Sequence, residues 1–283
     1  MTIFRTVFLF AMCYIILKPF ISIILSGFMS PDDLRDIRVE KIPLNWSFYY
    51  WKHAWSALGI ESFLNSLYSA VGNTVLQVIT SVFVGYGLSR FRFKGWGLLM
   101  VFVVIMMIVP FQVYSISEYL MFKDFLFFGN LISTPYALFI LSAGCMGLKH
   151  GLYIYVVMNC FNGLPKELEQ AAYIDGAGIW RTFISVMLPN VRNVIVTIAL
   201  LSFSWMWTDT KFTSHLDNSM NTLPARVTSG YMTIYSTQSS KDILGTIIAQ
   251  GAAVVIIIIP LVILFIACQK SFVKSISHSG LAN

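Results

Sequence analysis

Residues Gly163–Pro189 read GLPKELEQAAYIDGAGIWRTFISVMLP. Lys166, Glu167, Glu169, Asp175 and Arg181 fall within this stretch, while the long runs on either side are almost free of charge. Pro165 suits the first turn of a helix, where a missing amide hydrogen costs nothing. Glu167 and Glu169 favour the same end electrostatically. Leu168, Ala171, Ala172 and Ile174 then form a compact apolar side. Asp175-Gly176 breaks or bends the chain, because glycine admits backbone angles that other residues resist. A second helical stretch from Ile179 to Leu188 places Trp180, Phe183, Ile184 and Met187 at helical spacings, and Pro189 is expected to end it. Such a pair of short helices either docks in another protein's cleft and transmits a push, or only connects two membrane spans. Helix spacing does not choose between them.

Composition explains why a polar insert stands out. The 283-residue chain is 57% hydrophobic and 11% charged, with a mean hydropathy of +0.74. Soluble domains carry about 25% charged residues, so lipid is the expected solvent. The net charge of +6 is spread thinly with no basic tract, which excludes a nucleic-acid footprint. Cys13, Cys145, Cys160 and Cys268 show no CxxC spacing and read as buried small hydrophobes. His53, His215 and His278 read as surface residues without metal-ligand spacing, and Asp32-Asp33-Asp36 as solvated charge rather than a calcium loop. No GxxxxGK[ST] phosphate loop or nucleophile cluster is present, so no catalysis, cofactor or metal is expected on this chain.

A spanning helix needs about 20 mostly apolar residues. Residues 62–89, 95–117, 125–148 and 243–269 satisfy this, and residues 4–28 and 190–208 satisfy it with Arg5, Lys18 or Arg192 as interruptions. The expectation is six transmembrane helices. Residues 1–28 form a retained first span rather than a removed leader, and Lys18 beside Pro19 sits on a local kink facing protein or the interface. Residues 29–61 form an external loop whose Trp46, Tyr49, Tyr50, Trp51 and Trp55 suit an interface. Residues 62–269 make the core containing the 163–189 loop, residues 209–242 a second external connection, and residues 270–283 a cytoplasmic tail. Arg5, the Arg90, Arg92 and Lys94 group, and Lys270 with Lys274 fall on one side, which reads as cytoplasmic, as do both termini.

The 163–189 loop resembles the EAA loop of ATP-binding-cassette importer permeases. Gln170-Ala171-Ala172, Gly176, Val186 and Leu188-Pro189 stand at that pattern's offsets, and Pro165-Lys166-Glu167-Leu168 matches its sugar-importer form. Asn65-Ser66, Asn73-Thr74, Gly85-Tyr86 with Arg90, Phe91 and Phe93, and Met107 to Pro110 with Leu120 extend the likeness. So do Thr222-Leu223-Pro224, Gln269 and Phe272-Val273-Lys274. Together they are similar to the smaller, MalG-like permease of maltose-type carbohydrate importers.

That resemblance implies an all-α integral membrane protein of the type I importer fold, six-spanning, with a cytoplasmic coupling helix in a bacterial inner membrane. It implies import by alternating access beside a second, non-identical permease. Two cytoplasmic ATP-binding subunits would hold ATP and Mg, and an external solute-binding protein would deliver the sugar. The coupling residues it implies are Glu167, Gln170, Ala171, Ala172, Asp175 and Gly176. Two departures stand out. Gln170 replaces the usual acid, and Glu169 lies about 100° away around a helix, a poor substitute. Met158 stands where many relatives carry Arg, which weakens any ionic latch beneath the fourth span.

A sugar path needs hydrogen-bonding groups beside aromatic surfaces. Lys149, His150, Tyr153, Asn159, Ser204 and Trp205 are the principal candidates, with Ser142, Ser202 and Trp207 among lesser ones. Lys149-His150 interrupts the fourth span near its middle if that span runs about 135–161. Lys149 then contacts an acidic group of a uronic or sulfated sugar, pairs with the partner permease, or sits on a shallower helix. A permease for an amino acid, phosphate or glycerol phosphate is the main alternative function. A proton-coupled carrier is disfavoured by the scarcity of intramembrane acids.

Overall fold

A computed structural model describes residues 2–39, 42–217, 219, 221–229 and 243–280, with Thr2, Arg35 and residues 270–280 as backbone only. Among the described residues every regular element is helical, an arrangement that satisfies the backbone within each segment where no water reaches it. The chain is an all-α multi-pass membrane protein that divides into two compact units: residues 1–64 with 221–262, and residues 65–220 with 263–283.

In the first unit, α1 (Thr2–Gly27) carries Pro19 inside it, and residues 3–24 are all exposed. Lys18 and Cys13 share that exposure, so Cys13 is not the buried cysteine expected, and Lys18 is left uncovered by the described residues of this chain. The following loop is more built than its composition suggests. Phe28 packs on Trp46, Phe48 and Trp51 with ring centroids 5.2–5.6 Å apart. Asp33 is 2% exposed rather than solvated. Its carboxylate accepts the Asn45 backbone N–H (3.1 Å), the Asn45 side-chain amide (3.0 Å) and the Ser30 N–H (3.4 Å). Burial pulls its pKa upward, but these donors outweigh it and leave it below the ordinary value. Asp36 is held at about 2 by the Arg38 guanidinium. The long helix α2 (Tyr49–Arg90) is kinked at Gly59 (φ 71°, ψ 153°). Near that kink the Ala57 carbonyl accepts the Arg226 guanidinium at 3.1 Å, from a short helix at Leu223–Thr228.

The second unit is built around the C-terminal part of α2 and α6 (His150–Asn162), which approach closely at Gly85. A Cβ there would meet Val157 at 2.8 Å. Val82, Tyr86, Tyr153, Val157, Phe161, Phe183, Met187, Val191 and Ile198 form one core cluster. Leu88, Val103, Ile154 and Met158 form another, so Met158 is a packed apolar residue. Helices α3 (Trp96–Ile108) and α4 (Phe111–Lys123) meet at 107°. Ile179–Asn190 and the helix Arg192–Thr208 meet at 74°.

Three helices among the described residues are long and apolar enough to cross a membrane: Ile3–Gly27, Tyr49–Arg90 and Ile243–Gln269. Counting each bent pair as one span gives five. The expected fourth span is not one helix. It is split into α5 (Pro135–Ala143) and α6, with Cys145 (φ 64°) and Lys149 (φ 60°) left-handed in between. The second helical stretch of the insert ends at Asn190, one residue past the expected Pro189. A π-helical turn at Phe183–Met187 precedes the proline and widens the helix where its ring must fit, and the chain bends by 74° just beyond. The last helix, Ile243–Gly280, runs on where a tail was expected. The side chains of Lys270, Phe272, Val273, Lys274 and His278, and much of the 209–242 connection, lie outside the described residues.

Candidate functional site

The polar insert folds as α7 (Glu167–Ile174), a turn, and a second arm over Ile179–Asn190. Its turn is a Schellman closure: Ala177 N–H donates to the Ala172 carbonyl (2.9 Å) and Gly176 N–H to the Tyr173 carbonyl (3.1 Å). That closure places Gly176 at φ 77° and Asp175 at the C-cap. The second arm seats on α2 through Phe183, whose ring lies 4.7 Å from Tyr86 and 5.4 Å from Phe83.

Only two residues of α7 are buried, Glu169 and Ala172. Glu169 Oε1 accepts the Tyr86 hydroxyl at 3.0 Å. Its Oε2 lies 3.0 Å from Arg90 Nε, an ion pair rather than an aligned hydrogen bond, with the two side chains 11% and 7% exposed. Arg90 also donates through Nη2 to the Leu164 carbonyl at 3.1 Å. Arg90 is the last residue of α2, where the helix dipole favours a cation. One guanidinium therefore fastens both the start of the insert and its first helix to the end of a long transmembrane helix.

The remaining face of α7 points away. Leu168, Gln170, Ala171, Tyr173 and Ile174 are exposed, Ile174 to 86%, and so is Trp180 on the second arm at 68%. The apolar side expected from the sequence thus splits, with Ala172 inward and Leu168, Ala171 and Ile174 outward. The helix buries one of its two carboxylates, Glu169, and turns its larger hydrophobes Leu168, Tyr173 and Ile174 outward, unlike an ordinary surface helix. Glu169, a poor substitute for the usual acid by its place on the helix, is the anchor of α7 instead.

The path candidates separate. His150 is 1% exposed and pairs through Nε2 with Thr80 Oγ1 at 3.0 Å, and Tyr153 belongs to the core. Ser142 and Ser202 are fully buried in a polar ladder. Ser142 donates to Asn73 (2.6 Å) and accepts from Gln77 (3.3 Å), while Ser202 donates to Gln77 Oε1 (2.7 Å). Trp207 is buried too, and His215, expected at the surface, contacts the Ser115 carbonyl at 2.7 Å. Asn159 is exposed elsewhere on α6, and Ser204 is half-buried. Lys149 and Trp205 do come together: Lys149 Nζ stands 5.3 Å from the Trp205 ring centre, and both line a cavity of about 450 Å³. No group of three or more His, Cys, Asp or Glu able to hold a metal occurs among the described residues.

Comparison with known proteins bears on this arrangement. A family model described as binding-protein-dependent transport system inner membrane component matches residues 77–278. The probable ABC transporter permease protein YurM of Bacillus subtilis (strain 168) is 29% identical over 279 residues, 97% of this chain and 87% of that one. The diacetylchitobiose uptake system permease protein NgcG of Streptomyces coelicolor is 26% identical over 265 residues, 93% and 83% of the two chains. The crystal structure of a bacterial ABC transporter involved in the import of the acidic polysaccharide alginate includes a similarly folded chain. It has a TM-score of 0.74 at 20% identity and covers 95% of each chain, a likeness of fold.

Proposed function

The chain belongs to the binding-protein-dependent transport system inner membrane component family, and from that premise we propose that it is a sugar-importing permease driven through α7. It is a non-catalytic permease subunit of an ABC transporter. Sugar is favoured by the named substrates of relatives, diacetylchitobiose for NgcG and alginate for the structural neighbour. The MalG-like form of the 165–176 pattern agrees with them.

In this reading the chain crosses the bacterial inner membrane six times: three long helices, two bent pairs, and the broken pair α5 and α6. Both termini and the α7 insert face the cytoplasm. A second permease completes the pathway, two ATP-binding subunits holding ATP and Mg grip the insert, and an external binding protein delivers substrate. ATP-driven closure of those subunits pushes α7, and the pathway exchanges inward for outward access.

The observation that carries the coupling role is the reversed polarity of α7. A surface helix that buries Glu169 on Arg90 and leaves Leu168, Ala171, Tyr173 and Ile174 exposed has an apolar face suited to a protein partner. The Glu169–Arg90 pair supplies the stiff connection. Gln170, Glu167 and Asp175 lie around that face as polar contacts.

The test is Ala171→Trp, at an exposed position where the permease itself tolerates bulk. The purified permease pair should stay intact while capture of the ATP-binding subunits and sugar uptake fall by about tenfold or more. Normal capture and uptake would refute the coupling role. Uptake of an amino acid or phosphate in place of any sugar would refute the substrate class alone.

A further inference from the structure

The break between α5 and α6 is strained and supported. Cys145 and Lys149 both hold left-handed backbone conformations that non-glycine residues rarely adopt. The buried ladder fixes the turn from beneath. His150 bonds Thr80, whose hydroxyl also reaches the Ser142 carbonyl at 3.3 Å, and Gly147 lies so close to the Gln77 amide that no Cβ fits. Gln77 in turn is held by Ser142 and Ser202. The consequence is that His150 is buried while its neighbour Lys149 is exposed at the cavity wall.

The cavity has the size of a small-ligand site, for which about 300–1,000 Å³ is usual. Its polar lining combines Lys149, Lys211, Asp209, Gln112 and Tyr114 with the indole of Trp205. Asp209 is committed to its own backbone, accepting the N–H of Thr213 (2.7 Å) and Phe212 (3.3 Å) at the start of Lys211–Leu216. Lys149 has no carboxylate partner among the described residues. Its ammonium rests over an indole that is itself 47% exposed. An aromatic face beside an ammonium fits a sugar ring that carries a negative charge. The ring's C–H face stacks on Trp205, the charged group meets Lys149, and Gln112 and Tyr114 offer hydrogen bonds to hydroxyls.

The geometry points to this cavity as a subsite on this chain for an anionic sugar, carboxylate- or sulfate-bearing. The inference rests on the sugar-importer reading and adds the charge class and the residues that select it. Two measurements on the full assembly test it. In the wild-type transporter, Lys149 is acylated with an amine reagent in the presence of a hexuronate, a sulfated or a neutral oligosaccharide of equal length. Its modification is read by mass spectrometry. Protection by an anionic oligosaccharide and not by the neutral one is expected, and the protecting arm identifies the anion. In reconstituted vesicles, Lys149→Gln should cut uptake of that anionic sugar relative to a neutral one by about tenfold or more, with Lys149→Arg largely restoring it. Equal protection by all three sugars, protection by none while sugar is transported, or equal losses for neutral and anionic sugars would overturn the subsite. A wild-type assembly that carries no sugar would overturn the sugar reading and the subsite together. The labelling uses unaltered protein, so it decides the matter even where Lys149→Gln fails to assemble.

Discussion

Glu169 shows how one residue's role depends on a distant partner. Its carboxylate is taken out of water by Arg90 and Tyr86, the latter 83 positions away in sequence. Such a pair need not stabilise the fold relative to an apolar substitute, but removing one member strands a buried charge at a cost of about 3–5 kcal/mol. Glu169→Gln and Arg90→Gln should therefore each lower the thermal stability of the solubilised permease pair markedly. The double variant should lose less than the sum of the two, because neither charge is then left alone. Additive losses would show that the two side chains do not act together. Asp33 offers a pH test outside the membrane. Its pKa is lower folded than free, so the order it gives the loop is fully present above the ordinary value of 3.8 and is lost as pH falls through the lower folded-state value. The Asn45 amide, corrected for its intrinsic exchange rate, should stay protected at pH 5 and lose protection only below 3.8. Protection lost well above that value would contradict the hydrogen-bonded hub.

At the scale of elements, the insert is legible in outline and illegible in orientation. Pro165 and Glu167 mark the helix start, and Asp175-Gly176 marks the turn, because caps and glycine conformations are local properties. Which face of α7 turns inward is set by Arg90 and Tyr86 on another helix, and no local spacing carries that. Likewise, apolar counting runs α5 and α6 into one span, since hydropathy registers lipid preference and not the left-handed residues that divide the two. Pro189 marks the helix end to within one residue, but the π turn ahead of it is invisible in composition. Gly176→Val tests the turn. A side chain at positive φ costs about 1–2 kcal/mol, although no atom lies within 4 Å of the added Cβ. Stability should fall by that modest amount while coupling of ATP hydrolysis to uptake falls further, because the exposed face is tilted. Unchanged coupling would deny the turn its aiming role.

Across the whole molecule, the lipid-solvated character and helical class are plain from composition, while the internal polar ladder is not. Ser142 and Ser202 read as lesser path candidates and Asn73 as part of the family likeness, and only tertiary contact shows that with Gln77 they join three helices. Gln77→Leu would leave Ser142 and Ser202 short of a partner in a medium without water, a loss of about 1–3 kcal/mol readable as lowered thermal stability. No measurable change would mean that the ladder is not a fixed feature.

In the proposed reading, a cytoplasmic motor grips the exposed face of α7 to drive transport. Ala171→Cys, read against the parent chain with its own four cysteines, reports this directly through maleimide labelling from either side of the membrane. Position 171 should label rapidly from the cytoplasmic side in the permease pair alone and become protected when the ATP-binding subunits are added. Labelling from the outer side, or equal labelling with and without those subunits, would contradict it.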